Sequence, residues 1–122
     1  MFTVNGKELD YDIFDVDKAD VYEQAMNAVV EKMAVIDKEK DDMSFAKAIR
    51  AQCEAVAECF DTLFGEGAAA MLFDGTVNLK TAIKSFEELV VGINDKKAEI
   101  SAIAKASAAK TTGNRAVRRA RK

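Results

Sequence analysis

The sequence predicts a mainly α-helical fold: a helical bundle with an N-terminal β-hairpin and a basic, disordered C-terminal tail. Three observations carry that expectation. Apolar residues recur at three- and four-residue spacing through three long segments, and the chain contains no proline to break them. Asn5-Gly6 lies between short runs of alternating apolar residues. The charge also changes sign along the chain. Residues 1–99 carry 21 acidic and 11 basic side chains, whereas residues 100–122 carry seven basic and none acidic. The formal total of −3 is therefore a body at −10 joined to an end at +7. At 122 residues the chain is expected to form one helical domain over 1–112, including the hairpin at 2–13, followed by a flexible basic tail over 113–122. An apolar share of 49% supplies a core, and a chain of this size buries roughly two-thirds of its unfolded surface.

Residues 2–13 read as the hairpin. Asn5 and Gly6 both tolerate the positive φ of a type I′ turn, and pairing across it sets Val4 opposite Lys7 and Phe2 opposite Leu9. Leu9, Tyr11 and Ile13 then alternate at strand spacing. An isolated hairpin is marginal in water, so its apolar face must pack on the helices or join another chain's sheet.

The first helix is expected from about Lys18 to Lys38, capped by Asp17 with Asp20 three residues on. Tyr22, Ala25, Met26, Val29, Val30, Met33 and Ile36 form its stripe. Residues 37–42 lack apolar side chains and read as a solvated helix end and loop; the ligand spacing and glycine of a calcium loop are missing. The second helix starts from Ser44 as N-cap and ends at Gly65, which suits a left-handed helix terminus. Its buried stripe is Phe45, Ile49, Cys53, Val56, Phe60 and Leu63. Residues 65–75 predict a short helix between two turns. Gly65-x-Gly67 lacks the lysine and further glycines of a phosphate loop.

The last long helix begins after Asn78 as N-cap and extends to about Ala109. Leu79, Ile83, Phe86, Leu89, Val90 and Ile93 line its first half. Ile100 and Ile103 continue the stripe weakly, among alanines and lysines. That second half holds too little apolar surface for a monomer core, so it projects into solvent or packs against a partner helix. Thr111-Thr112-Gly113 is a breaker, and the last nine residues are too charged to pack.

No constellation points to chemistry. The chain has no histidine, which removes the usual participant in zinc sites and general acid–base schemes. Cys53 and Cys59 are six residues apart on one helix, a spacing that fits neither a redox pair nor a zinc knuckle, and they read as core residues. Asp10, Asp12, Asp15 and Asp17 read as a solvated strand face with a helix-dipole partner. Glu87 and Glu88 point in different directions. The expectation is a protein that is not an enzyme, with no catalytic residue, cofactor or metal. No run of 18 apolar residues is present, so no membrane span is expected, and the N-terminus lacks the pattern of a secretory signal.

The candidate partner-binding residues are therefore Arg115, Arg118, Arg119, Arg121 and Lys122 in the basic tail, with Ile100 and Ile103 on the long helix. In a helix, Arg115, Arg118, Arg119 and Lys122 share one face. Three readings stand for the tail: a solvated end, a segment docking on an acidic protein surface, or an arm for nucleic acid. The last is less favoured, because no aromatic residue is there to stack on bases.

The opening Phe2-Thr3-Val4-Asn5-Gly6-Lys7-Glu8-Leu9-Asp10-Tyr11, the helical body and the ending Asn114-Arg115-Ala116-x-Arg118-Arg119 together resemble tail assembly chaperones of long-tailed bacteriophages and prophages of Gram-positive hosts. The resemblance covers both ends and the architecture. It implies a non-enzymatic protein that binds the long helical tape measure protein, or another tail protein, and keeps it soluble while the tail tube forms. It also implies self-association into a homo-oligomer, action in the host cytoplasm and absence from the mature virion. Met26, Met33, Met43 and Met71 would suit an adaptable surface, although core filling accounts for them more simply. Two other functions stand beside this expectation: a structural tail or head–tail protein that oligomerises, and a small nucleic-acid-binding protein using its arginines.

Overall fold

The computed structural model describes the backbone of residues 1–120 and the side chains of residues 1–106. Two short antiparallel strands, β1 (Phe2–Val4) and β2 (Lys7–Leu9), precede four helices: α1 (Val16–Glu39), α2 (Phe45–Phe64), α3 (Ala68–Leu72) and α4 (Leu79–Ala120). A turn of 3-10 helix, Lys40–Asp42, joins α1 to α2. α2 is the central helix, with α1 along one side, α4 against another and α3 folded back beneath its C-terminal end; β1 lies on α4. Among the described residues no helix is long and apolar enough to cross a membrane.

The hairpin forms as its turn dictates. Asn5 (φ 49°) and Gly6 (φ 77°) both take positive φ, and Phe2 pairs with Leu9 and Val4 with Lys7. The strand itself ends at Leu9. Tyr11 and Ile13 are nevertheless buried, because the segment after β2 stays pressed on the core without a strand partner. The Tyr11 hydroxyl donates to Lys18 O at 2.6 Å, and its ring meets Phe64 edge-on at 5.7 Å. The apolar face of the hairpin thus packs on its own helices.

Several local expectations are corrected. α1 is capped two residues before Asp17: the Asp15 carboxylate accepts from Asp17 N at 3.0 Å and Lys18 N at 3.4 Å. Val16, exposed in that first turn, lies ahead of the buried stripe that begins at Tyr22. Val30 is exposed because the stripe of α1 narrows to Tyr22, Ala25, Val29 and Ile36. Phe45, 83% exposed, stands in the first turn of α2, ahead of the core. α2 buries Ala55 and Cys59 as well as Cys53, Val56, Phe60 and Leu63, since it has neighbours on more than one side. Gly65 ends α2 with φ 105° and ψ 158°, outside the left-handed helical region; the residue that adopts that conformation is Gly67, at φ 87° and ψ −4°. Ile83 is exposed, and the buried seam of α4 runs instead through Ala82, Ser85, Leu89, Gly92 and Ile93. The Ser44 cap, with its hydroxyl accepting from Lys47 N at 3.1 Å, and the Asn78 cap, accepting from Thr81 N at 3.2 Å, are where the sequence places them.

The small residues in that α4 seam permit close packing. A Cβ built at Gly92 would lie 2.6 Å from Phe2 Cγ and 2.8 Å from Phe2 Cβ, inside any normal contact distance. A glycine in a helix interior costs about 1 kcal/mol relative to alanine. Here it admits the ring of β1 against the helix backbone.

Candidate functional site

The direction of α4 is set by α2 and by the hairpin together. Lys96 donates to the Asp10 carboxylate and to Tyr11 O at 3.3 Å, and its ammonium lies 5.7 Å from the Phe2 ring centre. That hydrogen bond and the charge of Lys96 hold the Asp10 carboxyl below its ordinary pKa. One turn of the hairpin away, Lys7 donates to Met71 O, to Leu72 O at 3.3 Å and to Asp74 Oδ1 at 2.7 Å. A cation there meets the last carbonyls and the negative end of α3. Asn5 adds two bonds, from Nδ2 to Leu72 O at 2.6 Å and from its N–H to Glu88 Oε1 at 3.2 Å. The hairpin therefore ties α3 to α4.

Past Lys96 the body ends but the helix continues. Lys97 still lies over the Tyr22 ring at 5.5 Å, yet every described residue from Lys97 to Ala106 is exposed. Ile100 is 45% and Ile103 63% exposed. At 3.6 residues per turn, Ile93, Ile100 and Ile103 fall within about 40° of the meridian of Leu89. The face that α4 buries in the body is thus carried on, uncovered, beyond it. From Ala98 to Ala120 the overhang spans about 35 Å at 1.5 Å per residue.

A second apolar surface lies at the other end of the body. Val35, Ile36, Ala51 and Ala55 floor a groove of about 440 Å³ between α1 and α2, and Glu31, Lys32, Glu54 and Glu58 rim it. Val35 is 51% exposed there. Lys32 pairs with Glu58, while Glu31 and Glu54 make no ion pair among the described residues.

The cysteines are core residues. Both thiols are free and buried, and burial pushes Cys59 up to about 11 and raises Cys53 as well. They stay protonated and are poor nucleophiles near neutral pH. Among the described residues no group of three histidine, cysteine, aspartate or glutamate side chains is placed to hold a metal ion.

Of the residues singled out in the sequence, Ile100 and Ile103 are brought together on one exposed face. The backbone of α4 stays helical to Ala120, past the expected end near Ala109 and the break at 111–113. The side chains of Arg115, Arg118 and Arg119, and all of Arg121 and Lys122, lie outside the described residues, as does the expected disorder of the tail at its last two positions. Sequence reasoning missed the α1–α2 groove. Its only linear trace is Val35, an apolar residue off the main stripe, between Ala34 and Ile36. It also missed Gly92 and Lys96, whose roles arise from a strand more than eighty residues away.

Residues 5–122 match the model of DUF6673, a family of unknown function, and the chain belongs to that family. Comparison with curated proteins and with solved structures finds no match.

Proposed function

We propose that this member of the DUF6673 family is a non-enzymatic binding protein: a tail assembly chaperone that holds a phage tape measure protein soluble during tail morphogenesis. The observation that carries this reading is the overhang of α4, whose Ile100 and Ile103 extend a core-forming stripe with no body beneath it. An exposed apolar helix face at regular spacing is the element by which helices dock on helices. A tape measure protein, long and helical, is a partner of that kind. The excess of acidic over basic residues in the body keeps a complex with such a client dispersed. The start and end of the chain, which resemble tail assembly chaperones, support the same reading, and action in the host cytoplasm with absence from the finished virion is part of the proposal.

Co-expression with the tape measure protein of the same genome tests it. A soluble complex of defined mass is expected from the wild type, and insoluble client from Ile100→Asp/Ile103→Asp. Client that stays insoluble with the folded wild type overturns the reading. A structural tail or head–tail protein is the second reading; the long projecting helix favours it, and rings or tubes formed by the chain alone, with the client still insoluble, mark it. A nucleic-acid binder using the arginines is the third, marked by affinity that falls steeply with salt.

A further inference from the structure

We propose that in the client-free protein the overhang of α4 seats in the α1–α2 groove of a second copy, head to tail. This deepens the reading of the overhang as a docking element and rests on it, but it requires no client. Three observations support it: continuity, charge and direction.

The overhang presents Ile100 and Ile103 on the same meridian that Leu89 and Ile93 bury in the body, so it already carries the chemistry of a core helix. The groove offers an apolar floor of Val35, Ile36, Ala51 and Ala55 with a rim that is predominantly acidic. Residues 100–122 contain seven basic residues and no acidic one, against a single acid, Glu99, at the root of the overhang. Lys105, in the exposed part of the overhang, belongs to that set. An apolar strip with basic flanks meets an apolar trough with acidic walls, and the complement lies within one sequence.

Direction excludes the overhang's own groove. Ala82, near the start of α4, shares a pocket with Glu54, which also rims the α1–α2 groove. By Lys97 the helix has reached Tyr22, in the N-terminal half of α1. Tyr22 and Ile36 are about 21 Å apart along α1 at 1.5 Å per residue. α4 therefore begins level with the groove and leaves the body at the opposite end, carrying Ile100 and Ile103 further away. The occupant must be another molecule. Such a contact uses two different patches and leaves one of each free at the ends of any open assembly, so it propagates into open arrays or closes into a ring.

Two surface variants test this without any client. Ile100→Asp/Ile103→Asp spoils the overhang, and Val35→Lys sets a cation in the groove against the basic helix. All the altered side chains are exposed, and circular dichroism checks that each variant folds. In sedimentation velocity the wild type is expected to associate beyond a dimer with rising concentration, and less so with added salt. Each variant alone is expected to lose at least about tenfold in self-affinity. Mixed, the two supply one intact overhang and one intact groove, so a 1:1 heterodimer is expected. A wild type that stays monomeric, a variant that associates like the wild type, or a mixture that stays monomeric overturns the proposal. Client solubilisation separates the two failures. Val35→Lys that still holds the tape measure protein while the wild type is monomeric sinks head-to-tail docking and leaves the chaperone reading standing. A wild type that self-associates and passes the mixing test but never solubilises client sinks the chaperone reading alone.

Discussion

Gly92→Ala tests whether the hairpin seat governs α4. In an exposed helix the change stabilises by about 1 kcal/mol, because alanine loses less backbone entropy. At this position the new methyl would lie 2.6–2.8 Å from Cβ, Cγ and Cδ2 of Phe2, atoms near the root of that side chain. Ordinary contact begins near 3.5 Å, so strand and helix must part by most of an ångström. Overpacking of this kind costs about 1–3 kcal/mol. The net expectation is a loss between about zero and 2 kcal/mol in the wild-type background. Phe2→Gly removes all three atoms, and in that background the helix gain is uncovered, so Gly92→Ala becomes stabilising by about 1 kcal/mol. The double-mutant cycle then yields a coupling of about 1–3 kcal/mol between positions more than eighty residues apart in sequence. Urea titrations followed at 222 nm, compared at unchanged m-value, measure it. Gly92→Ala that stabilises equally in both backgrounds refutes the close approach of β1 to α4.

Two further predictions concern the clamp and the core thiol. Lys7→Met is expected to cost about 1 kcal/mol, since three carbonyl or carboxylate bonds at the end of α3 are lost. Asp74→Asn, which spares the carbonyl bonds and touches only an exposed ion pair, is expected to stay within about 0.5 kcal/mol; equal losses in urea melts would assign the clamp to the ion pair instead. Burial raises Cys59 from 9.0 to about 11, so the thiol contributes stability that is fully present below pH 9 and lost as pH rises through 11. Tyr11 and Tyr22, also raised by burial, add to the fall at its upper end. Melting temperatures between pH 8 and 11 are expected to decline less steeply in Cys59→Ala than in the wild type, and parallel curves would show that the thiol is not the group involved.

Most of the fold was legible because its signals are local. Asn5-Gly6 sets the hairpin register through two residues that tolerate positive φ, and Ser44 and Asn78 announce the helix starts through the bonds their own side chains make. The errors fall where a neighbour decides. Asp15 displaces Asp17 as cap because its carboxylate, two residues earlier, accepts from Asp17 N and Lys18 N. Phe45 and Ile83 are exposed because burial depends on which elements stand opposite, and small residues such as Ala82 and Ser85 hold the seam in their place. The overhang was half legible: Ile100 and Ile103 stood out in the sequence as a stripe without a core. The groove was not, since Val35 and Ala51 come from two helices and acquire a common purpose only when those helices pack.

Placing the body and the overhang on one uninterrupted helix has a mechanical consequence. No hinge lies between Leu89, in the core, and Ile103, in the open. The hairpin, bearing on this helix at Gly92 and Lys96, sits near the pivot of a lever whose far end sweeps about 1 Å for each 2° of tilt over 35 Å. The bearing of the hairpin on α4 is therefore an aiming device: a small change where Phe2 meets Gly92 is magnified at the tip of the arm, while the residues the arm carries stay the same.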